Sequence, residues 1–420
     1  MPKTLTQKIL QRHSDDTVER DGQIVQCRLS LVMANDITAP LAIKSFREMK
    51  AERVFDRDKI VLVMDHFTPQ KDIDSANQVL TCRAFAKEQG ITHYYEGGPC
   101  GVEHALLPEQ GLVGPGDLVI GADSHTCTYG GVGAFATGMG STDIAAGMAL
   151  GETWLKVPPA IRVNYAGAMP EWLRAKDLIL MLIAEIGVDG ARYRALEFGG
   201  PVIDELPVEG RLTMANMAVE AGGKAGLFPV DGRTRAYCAE HGRPGLDFFL
   251  AGDEGAPYER IVSFDVTGRE PVVACPHLPS NVRPVSAVPD TPVQQVVIGS
   301  CTNGRISDMR DAARVLRGRK VDRNVRCIVL PSTPTIWKQC LQEGLLEIFM
   351  DAGCIVGPST CGPCLGGHMG ILGDGERAVA TTNRNFKGRM GSLASEVYLA
   401  SPVVAAASAV AGCVAGPAQL

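Results

Sequence analysis

The feature that most constrains the fold is a pattern that occurs four times: a short apolar run is followed within a few residues by polar, reactive residues. The runs are Lys59–Met64, Asp117–Gly121, Gln295–Ile298 and Arg377–Ala380. They lead respectively into Asp65-His66, Asp123-Ser124-His125, Ser300-Cys301 and Asn383-Arg384. Such runs between helical stretches indicate the strands of an α/β protein. Because ligands bind beyond the carboxyl ends of strands in open α/β sheets, we expect these polar residues to form a ligand site.

The stretches between the strands predict helices and domain boundaries. Helical spacing of apolar residues predicts helices at 75–90, 143–156, 175–187 and 335–352. Proline-rich stretches near Val157 and from Cys275 to Pro292 are the best boundary candidates. We therefore predict three domains, at residues 1–158, 159–285 and 286–420.

The charge and the terminal residues argue against several protein classes. A net charge of −6 gives no general attraction to nucleic acid or to an anionic membrane. The segment Met1–Lys8 is polar and carries no signal-peptide pattern, and the alanine- and valine-rich run Val403–Ala411 is too short to span a bilayer. We therefore expect a cytoplasmic protein in a reducing compartment.

Three of the thirteen cysteines stand out by their context. Cys301 lies in Gly-Ser-Cys-Thr-Asn-Gly at 299–304, and Cys361 and Cys364 form a Cys-Gly-Pro-Cys loop. Three thiolates are one fewer than the four that usually enclose an iron–sulfur cluster or a structural zinc ion. If all three bind one cubane cluster, one iron keeps an open position and can act as a Lewis acid.

Other interpretations of the cysteines remain open. The Cys-x-x-Cys pair alone also fits a zinc site or a dithiol redox pair. A fourth thiolate from Cys100, Cys127 or Cys354 would close the metal site and remove the Lewis-acid function. The remaining cysteines are expected to pack as small apolar residues: Cys27, Cys82, Cys238, Cys275, Cys327, Cys340 and Cys413.

Three histidines have carboxylates close by in sequence. They are His66 beside Asp65, His104 beside Glu103, and His125 two residues after Asp123. A carboxylate that binds one ring nitrogen fixes the tautomer and raises the basicity of the imidazole, which suits proton transfer near neutral pH. A zinc site or ordinary structural pairs are the alternatives.

Two further patterns suggest contacts to a substrate. Asn216 and Glu220 are four residues apart and would share one face of a helix. Arg384 and Arg389 lie in a glycine-containing loop, where two guanidinium groups could each bind one carboxylate of a di-acid. A solvated polar helix face and a plain basic loop are the corresponding alternatives.

Taken together, these motifs resemble one family. Asp65-His66, Asp123-Ser124-His125, residues 299–304, Cys361-Gly362-Pro363-Cys364 and residues 383–389 follow in this order. The combination is similar to the aconitase superfamily, and within it to the large subunits of two-subunit dehydratases. The likeness covers essentially the whole chain. It implies three α/β/α domains around a central [4Fe–4S] cluster, one per chain, with one iron not ligated by protein.

The resemblance also implies an activity. The expected enzyme is a hydro-lyase that dehydrates 2-isopropylmalate to 2-isopropylmaleate and rehydrates it to 3-isopropylmalate, in leucine biosynthesis. Homoaconitases and 2,3-dimethylmalate dehydratases share the large-subunit motifs, so their substrates remain alternatives. A closed-cluster electron-transfer protein and a nucleic-acid-binding protein are alternatives from other classes.

Roles are implied residue by residue. The cluster ligands are Cys301, Cys361 and Cys364. The implied catalytic residues are Asp65, His66, His104, Asp123, His125 and Glu220. The implied substrate-binding residues are Asn35, Asp36, Ser124, Asn216, Asn383, Arg384 and Arg389.

Some features depart from the aconitase pattern. Asn35-Asp36 stands where aconitases have a glutamine before the aspartate, and Lys387 stands where they usually have a smaller residue, so citrate is a less suitable substrate. The chain ends at Leu420 without the fourth, swivelling domain of aconitases, which supplies an arginine and the serine base. We therefore expect a separate small subunit to supply both, in a heterodimer or heterotetramer.

Overall fold

The structure is a computed structural model that describes residues 1–244, 248, 250–288 and 290–420. These residues separate into two compact units, each assembled from segments that are distant in sequence. Unit 1 comprises Met1–Gly97, Leu106–Gly167 and Ala191–Asp265. Unit 2 comprises Gly98–Ala105, Ala168–Gly190 and Val266–Leu420.

The regular elements are short and follow one another closely along the chain. The strands are β1 Ile24–Arg28, β2 Leu31–Asn35, β3 Ile60–Val63, β4 His93–Tyr95, β5 Leu118–Gly121, β6 Phe135–Gly138, β7 Glu152–Lys156, β8 Ala160–Ala166, β9 Ala195–Gly199, β10 Ala225–Leu227, β11 Arg260–Asp265, β12 Val272–Ala274, β13 Val282–Pro284, β14 Gln295–Ile298, β15 Arg326–Val329, β16 Ile355–Val356, β17 Arg377–Ala380 and β18 Glu396–Ala400. The α-helices are α1 Leu5–His13, α2 Ala39–Glu48, α3 Ile73–Gln89, α4 Glu103–Glu109, α5 Ser141–Leu150, α6 Ala175–Ile186, α7 Pro201–Glu205, α8 Val208–Asn216, α9 Gly232–Glu240, α10 Ser300–Asn303, α11 Ile306–Leu316, α12 Pro334–Gln342, α13 Leu345–Ala352 and α14 Pro402–Ala411. Short 3₁₀ helices lie at Ser124–Val132, Met217–Ala221, Val285–Ala287, Gly362–Leu365 and Pro417–Gln419.

Unit 1 contains two sheets in each of which the strands run parallel. The first has five strands in the order β4-β3-β2-β5-β6, and the second has four in the order β10-β9-β8-β11. β1 and β7 pair separately as an antiparallel ribbon. β2, β3 and β5 are buried along their whole length, as expected when both faces of a parallel sheet are covered. Because β2 lies between β3 and β5, the residues after these three strands emerge at one edge of the sheet.

The helices of unit 1 bury apolar residues against the five-stranded sheet. Phe46 of α2 and Phe85 of α3 meet edge to face, with ring centroids 5.4 Å apart. Both rings belong to one core cluster with Val32, Leu62 and Ile120 of the sheet. This packing fixes the strands whose ends carry the polar residues.

Unit 2 contains a seven-stranded sheet in the order β13-β12-β18-β17-β14-β15-β16. The strands from β18 to β16 are parallel, whereas β12 runs antiparallel to β13 and to β18. Its core gathers Val296 and Ile298 of β14 with Met309 of α11, Phe349 of α13 and Val404 of α14. β14 and β17 are neighbours, so residues 299–301 and 381–384 follow adjacent strand ends.

The predicted α/β class and the four predicted strands are confirmed. β3, β5, β14 and β17 coincide with the predicted apolar runs. The helices predicted at 75–90 and 175–187 are α3 and α6. Within the described residues, no helix has the length and apolar character needed to cross a membrane.

Two helix predictions are wrong in part. The segment predicted as one helix at 143–156 is α5 followed by β7, because Gly151 adopts φ = 72° and ends the helix. Residues 152–156 then pair with β1. The helix predicted at 335–352 is divided into α12 and α13, because Gly344 adopts φ = 71°. Both glycines use the left-handed conformation that favours glycine and ends helices.

The division into three domains stays a prediction. The five-stranded sheet falls within 1–158 and the four-stranded sheet within 159–285. Most of the seven-stranded sheet falls within 286–420, but β12 and β13 precede the predicted boundary.

Candidate active site

His66 of unit 1 is held by two carboxylates at the carboxyl end of the five-stranded sheet. Its Nδ1 lies 2.7 Å from Oδ1 of Asp65, which follows β3. The same nitrogen lies 3.4 Å from Oδ1 of Asp36, which follows β2. Asp36 also accepts hydrogen bonds from the backbone N–H groups of His66 (3.1 Å) and Phe67 (2.9 Å). These contacts fix both the position and the orientation of the buried imidazole.

The two carboxylates also determine the charge of this imidazole. Burial alone would lower the pKa of His66, but Asp65 and Asp36 outweigh it and raise the pKa well above 6.5. His66 is therefore an imidazolium at neutral pH and can donate a proton. The ligand atoms of Asp36, Asp65 and His66 also lie within 4.8 Å of one another, a spacing that suits a metal ion. The same contacts also suit an ion pair between the imidazolium and the two carboxylates.

The Asn35 side chain shapes the turn before α2. Its Oδ1 accepts hydrogen bonds from the backbone N–H groups of Ile37 and Thr38, both at 3.1 Å, and from the Thr38 hydroxyl at 2.9 Å. Sequence reasoning assigned Asn35 and Asp36 to the substrate and did not foresee that Asp36 holds His66. Their contact with a substrate stays a prediction.

A second imidazole–carboxylate pair joins His125 to Glu220 in unit 1. Nε2 of His125 lies 2.7 Å from Oε1 of Glu220, and both side chains are buried. Asp123 follows β5 and begins the 3₁₀ helix Ser124–Val132 by accepting the backbone N–H of His125 at 2.7 Å. Asp123 therefore places the histidine, while Glu220 binds its ring.

Asn216 and Glu220 lie in two consecutive helical segments rather than in one α-helix. α8 ends at Asn216, and Glu220 lies in the following 3₁₀ helix. Both side chains nevertheless contact the segment 124–132. Nδ2 of Asn216 donates to Oγ1 of Thr128 at 2.8 Å, and this hydroxyl donates to the His125 carbonyl oxygen at 2.6 Å.

Asp123 and Ser124 line an open cavity of about 570 Å³ in unit 1. Its other walls come from residues 137–140 and from the turn that carries Lys224. Burial lowers the pKa of Lys224, against the favourable effect of Asp143. The cavity therefore combines a carboxylate, a hydroxyl and an ammonium group, and it is large enough for a small organic acid.

In unit 2, His104 lies beside Glu103 and is held by a buried arginine. Nε2 of His104 is 3.4 Å from Oε1 of Glu103. Arg305 donates to the backbone carbonyl oxygens of His104 (3.2 Å) and Thr302 (3.0 Å). Arg305 thereby ties the histidine to the segment that carries Cys301, a role that sequence reasoning missed.

The backbone before Cys301 is strained and tightly held. Gly299 has φ = 151° and Ser300 has φ = 76°, a value that residues other than glycine rarely adopt. The Thr381 hydroxyl, which follows β17, accepts from the Gly299 N–H and donates to the Gly299 carbonyl, both at 2.9 Å. Backbone strain of this kind is characteristic of functional sites.

Two of the predicted cluster cysteines contact the same side chain. Nδ2 of Asn383 lies 3.4 Å from the Cys301 sulfur, and the Cys364 sulfur lies 3.7 Å from Oδ1 of Asn383. Cys361 is one turn away, since its carbonyl oxygen accepts the Cys364 N–H at 3.4 Å. All three are buried cysteines that form no disulfide. Unit 2 thus gathers soft sulfur ligands of the kind that bind iron–sulfur clusters.

The arginine loop adjoins these cysteines. Nη2 of Arg389 lies 3.7 Å from the Cys364 sulfur, and Arg384 is half-buried directly after Asn383. Asn385 fixes the loop by donating to the Cys275 carbonyl oxygen at 2.9 Å, whereas Lys387 is exposed. The predicted carboxylate-binding groups therefore lie within the same unit as the thiols.

The cysteines considered as a fourth ligand have other partners. The Cys354 thiol is hydrogen-bonded to Cys327, and this contact, together with burial, raises the pKa of Cys327 well above its usual value. The Cys127 thiol donates to the Asn216 carbonyl oxygen at 3.4 Å. The Cys100 sulfur lies 3.8 Å from the Gly101 carbonyl oxygen.

Lys176 is a residue near the thiols that sequence reasoning did not single out. It is fully buried in the first turn of α6, and Nζ donates to the carbonyl oxygens of Thr381 (2.9 Å) and Thr382 (2.6 Å). A lysine two residues before the apolar run Leu178–Ile183 of α6 was the available signal.

The whole-chain comparison settles the family. A family model described as the Aconitase family (aconitate hydratase) matches residues 7–292 and 286–412. The chain belongs to the aconitase family. An aconitase X from Thermococcus kodakaraensis has a similar structure, with a TM-score of 0.50, 13% identity and coverage of 85% of this chain and 84% of that one. At that identity the likeness shows the fold alone.

Aconitase-family relatives match the chain over its full length. A protein of Desulfovibrio desulfuricans is 80% identical over 420 residues, which is 100% of both chains. One of Oleidesulfovibrio alaskensis is 70% identical over 99% of both chains, and one of Heliobacterium modesticaldum is 56% identical over 100% of both. All three carry the name "3-isopropylmalate dehydratase large subunit".

Proposed function

We propose that the chain is the large subunit of a 3-isopropylmalate dehydratase, a hydro-lyase of leucine biosynthesis. It would interconvert 2-isopropylmalate and 3-isopropylmalate by removing water and adding it back. Relatives with this name share 56–80% identity with the chain over its full length. The structural observation that carries the proposal is the contact of one amide, Asn383, with the Cys301 and Cys364 sulfurs.

Cys301, Cys361 and Cys364 would hold a [4Fe–4S] cluster. The three cysteines are buried and form no disulfide, so their sulfurs are in the reduced state that iron binding requires. Cys354 lies beside Cys327, which gives this candidate fourth ligand another thiol partner. When bound, such a cluster supplies a Lewis acid for the departing hydroxyl group.

The histidines of the chain would handle protons. His66 carries a proton at neutral pH, because Asp65 and Asp36 raise its pKa, and can donate that proton to a leaving hydroxyl. His125 is oriented by Glu220 at 2.7 Å and can take part in the same transfer. A positioned acid typically accelerates a reaction by about 10²–10⁴-fold.

The arginine loop would bind the carboxylates of the substrate. Arg384 and Arg389 each offer a planar fork of donors that matches a carboxylate, so the pair suits a di-acid. Binding at both ends orients the substrate, and orientation of reacting groups contributes several kcal/mol, roughly 7–11 in good cases.

The chain would act with a small subunit. The curated relatives are named as large subunits, which supports a partner protein. We propose that this partner carries the swivelling domain, with the serine that removes the C–H proton and an additional arginine. The active form would then be a heterodimer or heterotetramer.

The test is anaerobic reconstitution of the chain with iron and sulfide, with and without the small subunit. Each sample is assayed on 2-isopropylmalate, on homocitrate-type acids and on 2,3-dimethylmalate. We expect turnover only when both subunits are present, with preference for 2-isopropylmalate. Activity of the chain alone would contradict the divided site, and preference for another acid would reassign the substrate.

A further inference from the structure

Lys176 occupies a place where a positive charge is costly. Its side chain is fully buried, and it stands in the first turn of α6, where the helix dipole is positive. Moving an ammonium group out of water is strongly unfavourable unless other charges compensate. The neighbouring residues Leu178–Leu180 are apolar, so a methionine here would avoid the cost.

The groups around the ammonium are those of the cluster site. Burial lowers the pKa of Lys176 to about 7, and the groups that favour its charged form are Cys301, Asp308, Cys364 and Asp177. Two of these are thiols, which carry negative charge only as thiolates. The hydrogen bonds to Thr381 and Thr382 lead directly to Asn383, which contacts both sulfurs.

We propose that Lys176 is a positioning residue that serves as the buried counter-charge of the thiolate-bound cluster. A [4Fe–4S]²⁺ core with three thiolates carries net negative charge, which the ammonium offsets. The same group holds the backbone of Thr381 and Thr382, and so sets the place of Asn383. This inference rests on the proposed function, because it presupposes a cluster on these cysteines.

Removing the positive charge of Lys176 should change both the reduction potential and the binding of the cluster, each in a known direction. A nearby positive charge favours the more negative, reduced form of a cluster, so its removal lowers the reduction potential. It also weakens cluster binding, and loss of an outer-shell partner typically costs about 10–100-fold in affinity. In the chain without a cluster, the ammonium group of Lys176 has no cluster charge to offset.

The experiment compares Lys176→Met, which removes the charge and the hydrogen bonds, with Lys176→Gln, which keeps a donor for the carbonyl oxygens. Lys338→Met is the control, because it removes the same charge from an exposed position of unit 2. For each protein, iron and sulfide per chain are measured after anaerobic reconstitution. The midpoint potential follows from a redox titration monitored by EPR, and the stability of the chain without iron from urea unfolding.

We expect both Lys176 variants to bind the cluster about ten-fold or more weakly than wild type and to have a lower cluster potential, while the iron-free chain loses less stability than the reconstituted chain. Wild-type cluster binding by the Lys176→Gln variant would contradict the counter-charge role of Lys176. An unchanged midpoint potential of the cluster in both variants would contradict it as well. Equal losses of stability with and without iron would also overturn it, since they indicate a structural lysine. A wild-type chain that takes up no iron or sulfide would instead overturn the proposed function.

Discussion

His66 is the residue whose charge matters most for the proposed proton transfer. Asp36 and Asp65 raise its pKa in the folded chain, so the folded state holds the proton more tightly than the unfolded state. The resulting stability is fully present below about pH 6.5, the ordinary histidine pKa, and is lost as the pH rises through the folded pKa. Proton-donating capacity is lost over the same range.

We predict that Asp36→Asn lowers the pKa of His66, because it removes one of the two carboxylates that raise this pKa. NMR titration of histidine-labelled chain measures this pKa directly. Urea unfolding should show a larger loss of stability at pH 6 than at pH 9. Asp74→Asn, an exposed change on α3, is the control and should leave the titration unchanged. A His66 pKa unaffected by Asp36→Asn would show that Asp65 alone sets the charge.

The cysteines allow a second prediction at this scale. Cys364→Ser should abolish most of the visible absorbance of the reconstituted cluster, because a hydroxyl is a poor ligand for this iron. Cys413→Ser changes a half-buried cysteine of the same unit and should leave the absorbance intact. Equal cluster content in the two variants would remove Cys364 from the ligand set.

Individual site residues were predictable from the sequence where the two interacting residues are neighbours along the chain. Asp65-His66 reads as a pair in the sequence and is a pair at 2.7 Å in the structure. Asp36 and Lys176 were less visible, because their partners lie 30 residues or more away and depend on which strands are neighbours. Sequence spacing holds no information on that pairing.

At the scale of elements, the 3₁₀ helix Ser124–Val132 and α8 pack with almost no space between them. A Cβ on Gly131 would stand 2.6 Å from the backbone nitrogen of Leu212 and 2.7 Å from its Cα. A Cβ on Gly130 would stand 1.9 Å from the Gly226 carbonyl oxygen. The segment that carries His125 can therefore approach α8 at Gly131 and β10 at Gly130 only with glycine at these positions.

We predict that Gly131→Ala destabilises the chain by about 1–3 kcal/mol, the usual cost of overpacking. The backbone of Leu212 cannot move aside as a flexible side chain would. Equilibrium urea unfolding measures the effect. Gly232→Ala is the matched control, because its Cβ meets nothing within 4 Å and alanine suits a helix. Equal stability of the two variants would mean that α8 shifts freely.

The elements themselves were predictable where the apolar pattern is short and bounded. β14 and β17 were located to the residue because each apolar run stops at a residue that breaks the pattern, Gly299 after β14 and Thr381 after β17. The incorrect helix predictions at 143–156 and 335–352 have one cause. Gly151 and Gly344 interrupt the helices, although apolar residues continue to recur after each glycine. Apolar periodicity does not reveal a left-handed glycine.

At the scale of the whole molecule, cluster binding should stabilise unit 2 specifically. A ligand that binds only the folded state adds stability by mass action, about 2.7 kcal/mol at 100 times its Kd. We predict that anaerobic reconstitution raises the thermal midpoint of the chain, and that an iron chelator returns it to the starting value.

Hydrogen exchange locates this effect. Peptides that cover residues 299–304 and 358–367 should gain protection on reconstitution, whereas β8 and β9 of unit 1 should change little. Protection spread evenly over both units, or found only in unit 1, would contradict a cluster held by Cys301, Cys361 and Cys364.

The division of the chain into interleaved segments has a consequence for its synthesis. Every segment of unit 1 has been made once the ribosome passes Asp265, whereas the cysteines of the cluster emerge only after residue 300. Unit 1 can therefore begin to fold during translation. Residues 98–105 and 168–190 must wait for the seven-stranded sheet, so we expect iron to be inserted only after the polypeptide is released.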